Sequence, residues 1–173
     1  ASYRRQRQMC IRDRDKKIII CASTHHPEEE ILIQAFQKLD LENIIIILVP
    51  RHPDRAKAVY KKINDTGLSI SLFSEENSKL DFSKQVILVD KIGHLESLFS
   101  IADIAFIGGS LIPHGGQNFL EAVKFSLPIS SGQSVFNFQE IAHDLLKHKI
   151  LKQGNSAEEL RNIWHEQLCD SSS

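Results

Sequence analysis

Three short, unbroken apolar runs leave this chain few ways to fold: Ile18-Ile-Ile-Cys-Ala22, Ile44-Ile-Ile-Ile-Leu-Val49 and Ile104-Ala-Phe-Ile107. A strand with one wet face alternates apolar and polar residues, whereas a run without a polar position must be covered on both faces. None of the three is long enough for a helix, and each is rich in β-branched residues. They predict buried strands of a parallel sheet.

The segments between them carry a different period. From Glu28, apolar residues recur at Ile31, Leu32, Ala35, Phe36 and Leu39, a helical stripe, with Pro27 at its first position and Glu28-Glu29-Glu30 in its first turn. Asn43 ends that pattern. Further helices are predicted from about Pro53 to Asn64, Gly93 to Ala102, Asn118 to Phe125, Asn137 to about Lys147, and from Ser156 through Leu160, Ile163, Trp164 and Leu168. Weaker strands are predicted at 68–73, 86–89, 127–130 and 150–151, and Glu75 to Ser83 reads as an exposed polar insertion. Strands alternating with amphipathic helices define an α/β, Rossmann-like parallel sheet with helices on both faces.

The stretch Phe106-Ile-Gly-Gly-Ser-Leu-Ile-Pro-His-Gly-Gly-Gln-Asn-Phe-Leu-Glu121 is where chemistry concentrates. A strand, two glycine pairs and a helix start make an anion site, because glycines let backbone N–H groups approach a phosphate and the helix dipole favours it. Glu121, just inside that helix, suits a ribose diol. The expected ligand is a nucleotide or nucleotide sugar. Asn118 and Glu121 also have capping-box spacing, which needs no ligand, and Asn137 and Glu140 repeat it. Arg51 follows the second strand, where a guanidinium suits a phosphate and equally suits an ion pair with Asp54. His52 can donate to the same phosphate. Lys91-Ile-Gly-His94 is a further strand-to-helix turn, either a backbone contact for the ligand or a plain turn.

Other classes fit less well. The chain has 173 residues, 42% hydrophobic and 25% charged, which suits one domain. Its net charge of −1 combines +5 over residues 1–17 with −6 over the remainder, and an acidic body argues against a nucleic-acid partner. The cysteines Cys10, Cys21 and Cys169 lack CxxC spacing, pointing to a reducing compartment. The eight histidines show no metal-ligand spacing, so no metal and no cofactor are expected. G-x-S-x-G and G-x-G-x-x-G are both absent, which disfavours a serine hydrolase and an oxidoreductase. The longest apolar run, Ile44 to Val49, is too short to span a membrane. Residues 1–17 form an arginine-rich leader that resembles translated adapter sequence and is expected to be non-native or disordered. The folded domain is expected over 18–168, with 169–173 as a tail. The start at Ala1 suggests a piece of something longer.

Five of these motifs together resemble the C-terminal half of the 3-deoxy-D-manno-octulosonic acid (Kdo) transferases: Ser23-Thr-His25 before Glu28-Glu-Glu30, Val49-Pro-Arg-His-Pro53, Gly108-Gly-Ser110, Gly115-Gly-Gln-Asn-Phe-Leu-Glu121 and Asn137-Phe-Gln-Glu-Ile141. The resemblance implies the donor-binding half of a GT-B glycosyltransferase that moves Kdo from CMP-Kdo to a lipid A precursor, lipid IVA, at the cytoplasmic face of the inner membrane. It implies CMP contacts from Arg51, His52, Ile92, Gly93, His94, Asn118, Phe119, Leu120 and Glu121, with Gly109, Ser110 and Gly116 of the glycine loop completing the set. It also implies an inverting, metal-independent reaction whose general base, a glutamate, and membrane anchor lie in the N-terminal half. This chain alone is then expected to transfer nothing. Departures from the family pattern are Gln117 for its usual histidine, His94 for its usual acid, and Ala122-Val-Lys124 where a proline is usual. A UDP-sugar transferase or 2-epimerase of the same fold, or a non-catalytic nucleotide-binding module, are the competing readings.

Overall fold

The apolar runs form the middle of a seven-stranded sheet in the computed structural model, which describes residues 15–170. The strands are β1 (Lys17–Thr24), β2 (Ile44–Pro50), β3 (Ile70–Leu72), β4 (Val86–Leu88), β5 (Ile104–Ile107), β6 (Ile129–Ser131) and β7 (Leu151–Gln153). They pair in parallel throughout, in the order β3-β4-β2-β1-β5-β6-β7. The helices are α1 (Glu28–Gln37), α2 (Ala56–Asn64), α3 (Leu95–Ile101), α4 (Leu120–Lys124), α5 (Gln139–Lys147) and α6 (Ala157–Asp170). No helix among the described residues is long and apolar enough to cross a membrane. The leader lies outside the described residues apart from Asp15 to Lys17, as does the end of the tail from Ser171.

Each central strand feeds two cores, which is why its sequence never alternates. Ile18, Ile20 and Ala22 of β1 join Ile45, Ile47, Ala105 and Ile107 against α3, α4 and α5, through Leu98, Phe99, Ala122 and Leu145. Ile19 and Cys21 join Ile46, Leu48 and Phe106 against α1, α2 and α6, through Leu32, Val59, Leu160 and Trp164. Trp164 is fully buried, and its indole N–H donates to Ser130 Oγ at 2.9 Å, tying α6 to β6.

This arrangement fixes where a ligand can sit. The crossover after β1 runs on the α1 face and the crossover after β5 on the α4 face, yet β1 and β5 are neighbours. Their loops therefore part at the carboxyl edge and open a crevice, the topological switch point of open α/β sheets.

Some expectations change. Pro27 precedes α1 rather than opening it. The 53–64 segment splits into a 3-10 turn, Pro53–Arg55, and α2. The 75–83 insertion is not wholly exposed: Leu80 and Phe82 within it pack on the core. Neither Asn-x-x-Glu capping box forms. Asn118 lies two residues ahead of α4, where its Oδ1 accepts the Leu120 N–H at 2.9 Å. Asn137 lies within a 3-10 turn and donates from Nδ2 to His114 O at 3.2 Å, bracing the glycine loop instead. The side chain at the start of α6 does cap: Ser156 Oγ accepts the Glu159 N–H at 3.1 Å.

Candidate functional site

At the floor of the crevice lies Glu28, whose residue is fully buried although it carries a carboxylate. Its Oε1 accepts the N–H of His25 at 2.9 Å and of Gly109 at 2.7 Å, and its Oε2 those of Ser110 at 3.1 Å and Leu111 at 3.0 Å. Burying a carboxylate is costly unless such donors replace water, and here four do. The acid stitches the end of β1 to the loop after β5. Gly108 makes the approach possible, because a Cβ there would stand 2.3 Å from the Ser23 carbonyl oxygen. Ser23 itself bulges at φ 57° where the β1 register shifts.

This corrects the expectation that the glycine loop presents its N–H groups to a phosphate. Those of Gly109 and Ser110 are taken by Glu28, that of Gly116 by Gly109 O at 2.8 Å, and that of Gly115 by Ser134 Oγ at 3.1 Å. The loop is a finished wall. The three-residue step from His25 to Glu28 was the available sequence signal, since an acid in a first helical turn can reach back to an N–H ahead of it.

The second group of expected residues does converge. Arg51, after β2, and Lys91, Ile92, Gly93 and His94, after β4, line one cleft of about 150 Å³ together with Ser23 and Leu95. Gly93 has φ +96° and open space around it, so the turn presents backbone rather than side chain. Ile92 is 80% exposed. The His94 ring packs edge-on to Phe73, with centroids 4.9 Å apart, which marks it as a wall of the cleft. Arg51 is exposed, and its backbone N–H is held by Thr24 O at 2.9 Å. The Asp54 ion pair does not form. Arg55 takes the local acid instead, binding both oxygens of Glu29 at 2.8 and 3.3 Å.

A third group went unnoticed in the sequence because its members lie on three different loops. The His25 ring sits 4.3 Å from that of His114 and 5.7 Å from that of His52, centroid to centroid. Gln117 Nε2 lies 3.1 Å from His25 Nε2. Burial, then the nearby His114 and His52, push the His25 pKa below its ordinary 6.5. No group of three or more His, Cys, Asp or Glu among the described residues has the geometry to hold a metal.

The start of α4 is mixed. Glu121 is exposed and makes no hydrogen bond or ion pair among the described residues, leaving its carboxylate available. Leu120 is 57% exposed. Phe119 is fully buried and packs edge-on to Phe138, so its side chain belongs to the core and only its backbone can meet a ligand. A larger groove of about 650 Å³ runs between α1 and α2. Its floor is Ile33, Val59 and Ile63, and Arg55 at its edge is already paired, so it offers no comparable anion site.

Comparison with solved structures gives the class. The fold matches the C-terminal CMP-Kdo binding domain of WaaA from Acinetobacter baumannii with a TM-score of 0.85, at 27% identity, covering 98% of this chain and 90% of that one. Anabaena Alr3699/HepE in complex with UDP-glucose shares the fold at a TM-score of 0.67 and 18% identity, covering 99% of this chain and 44% of that one. The domain has the architecture of the C-terminal half of a GT-B glycosyltransferase.

Sequence relatives narrow this. The Haemophilus influenzae 3-deoxy-D-manno-octulosonic acid transferase is 36% identical over 159 residues, 91% of this chain and 37% of that protein. The Aquifex aeolicus enzyme of the same name is 35% identical, over 76% of this chain and 36% of the protein. A bifunctional glycosyltransferase/methyltransferase of Fusobacterium nucleatum is 37% identical over 84% of this chain and 22% of its own length. No family model matches the chain. The chain is a relative of the Kdo transferases, matching their C-terminal domain in fold, and it spans well under half the length of these relatives.

Proposed function

We infer that residues 18–168 are the donor-binding domain of a Kdo transferase, holding CMP-Kdo for transfer to a lipid A precursor. The carrying observation is the convergence of the Arg51 loop and the Lys91–His94 turn in one cleft beside the switch point, in a fold shared with a CMP-Kdo binding domain. In this reading Arg51 and His52 meet the phosphate, the backbone at Ile92-Gly93-His94 meets the base, and Asn118 to Glu121 hold the ribose. Gly109 and Ser110 shape the wall through Glu28, and Gly116 through the Gly109 carbonyl, rather than touching phosphate.

The chemistry asked of such a domain is electrostatic. As the glycosidic bond breaks, the departing CMP gains negative charge, and preorganised donors aimed at it lower the barrier without a metal or cofactor. Inversion at the anomeric carbon requires a base on the opposite side, which this reading assigns to the N-terminal half. The domain alone then binds donor without transferring it. The acceptor, lipid IVA, and the inner-membrane setting belong to the whole enzyme.

A ligand-observed NMR titration with CMP, UMP and AMP tests the reading. CMP is expected to bind in preference to the others. Arg51→Ala and Glu121→Gln should each weaken it by about 1–3 kcal/mol, the value of a hydrogen bond to a charged group. A preference for UMP would move the domain to a UDP-sugar enzyme, and unaltered affinity in both variants would remove the assigned site.

A further inference from the structure

The donor proposed above carries two acids: its phosphodiester and the carboxylate on the anomeric carbon of its ulosonic sugar. Arg51 answers the first. Few groups on the same rim are left for the second. Arg55 is bound to both oxygens of Glu29. The N–H groups of Gly109, Ser110, Gly115 and Gly116 are all taken, by Glu28, Ser134 and Gly109. Lys91, on the far side of β2 from the crevice, directs its ammonium to Ser78 Oγ at 2.6 Å. Between Arg51 and the glycine loop three imidazoles gather: His25 after β1, His52 after β2 and His114 after β5.

We propose that His25 and His114 form the subsite for the carboxylate of the donor's sugar, with Gln117 holding the His25 ring and His52, beside them, left to the phosphate; this rests on the reading of the chain as a CMP-Kdo-binding domain. The placement suits the ligand. A phosphate and a carboxylate joined through one anomeric carbon must be met by adjacent loops, and neighbouring strands about 5 Å apart supply them. Arg51 follows β2, and His25 follows its neighbour β1. His25 and His114 stand at the crevice, where the bond to be broken would point toward a facing domain.

The electrostatics make the subsite responsive. The groups around His25 are His114, His52, Arg55 and Glu29, with Glu28 accepting its backbone N–H from below. Burial, with His114 and His52 close by, holds the His25 pKa below its ordinary 6.5 while the site is empty. A carboxylate beside His25 favours its charged form. Binding of the sugar is thereby linked to proton uptake and tightens as pH falls.

Isothermal titration of the 173-residue chain with CMP and with CMP-Kdo, at about pH 6 and about pH 8, on either side of the imidazole range, tests this. His114→Ala and His25→Gln are the variants; His114 is exposed, so its loss leaves the fold intact. CMP affinity is expected to stay within about twofold of the parent in both, while CMP-Kdo affinity drops about tenfold. The parent's preference for CMP-Kdo over CMP should be larger at the lower pH, and the pH effect should shrink in the variants. Unchanged CMP-Kdo binding, or equal losses for CMP and CMP-Kdo, would overturn the subsite. A folded parent that ignores CMP altogether would instead overturn the donor-domain reading, and the subsite with it.

Discussion

Glu28 does at the head of α1 what a bound anion does in many nucleotide folds, filling a ring of converging backbone N–H groups. Removing it leaves two buried and two half-buried donors without partners. Glu28→Ala should therefore destabilise the domain by about 3–5 kcal/mol in urea unfolding, and formate should restore part of that loss in the variant but not in the parent. His25 gives a pH dependence of known sign. Its folded pKa lies below 6.5, so on acidification from neutrality the unfolded chain takes up this proton first and stability falls below about pH 6.5. Above that pH the contribution is flat. Thermal unfolding against pH should show a shallower acid limb in His25→Gln; an unchanged limb would assign the loss to other groups.

At the scale of elements, the crevice depends on backbone lying against backbone. Gly108→Ala would drive a methyl into the Ser23–Thr24 main chain, whose nearest atoms are all backbone rather than the end of a flexible side chain. A loss of about 3 kcal/mol or more is expected, read as a fall in Tm. Gly93→Ala meets nothing within 4 Å but must adopt φ +96°, so its cost should be about 1 kcal/mol, and its larger effect should be on nucleotide affinity. The central strands were legible because an unbroken apolar run has only one home in a sheet, and β5 falls at its predicted residues, Ile104–Ile107. The capping boxes were misread because spacing reports only local partners. Asn137 instead serves His114, 23 residues away in sequence. Glu28 was placed correctly at a helix start, but its partners Gly109 to Leu111 lie more than 80 residues further on. Arg51 and the Lys91–His94 turn share one cleft because each follows a strand, and the edge of a parallel sheet gathers such positions.

For the whole molecule, two cores on opposite faces share one sheet, so the two are expected to melt together. Trp164, the single tryptophan, is fully buried between α6 and β6. Its emission should shift to the red on unfolding at the same denaturant concentration at which helical circular dichroism is lost. Separate transitions would mean that the α6 layer detaches first. Trp164→Phe keeps much of the packing but leaves Ser130 without its donor, for an expected cost of about 1–3 kcal/mol.

The carboxylate beneath the crevice also bears on time. Amides of Gly109, Ser110 and Leu111 that already hold a partner should exchange slowly with deuterated solvent whether or not a nucleotide is present. A guest arriving there has little chain left to quieten. Its affinity is then not eroded by the entropy of ordering a loop, and a protection pattern unaltered by ligand would record a site built before its occupant came.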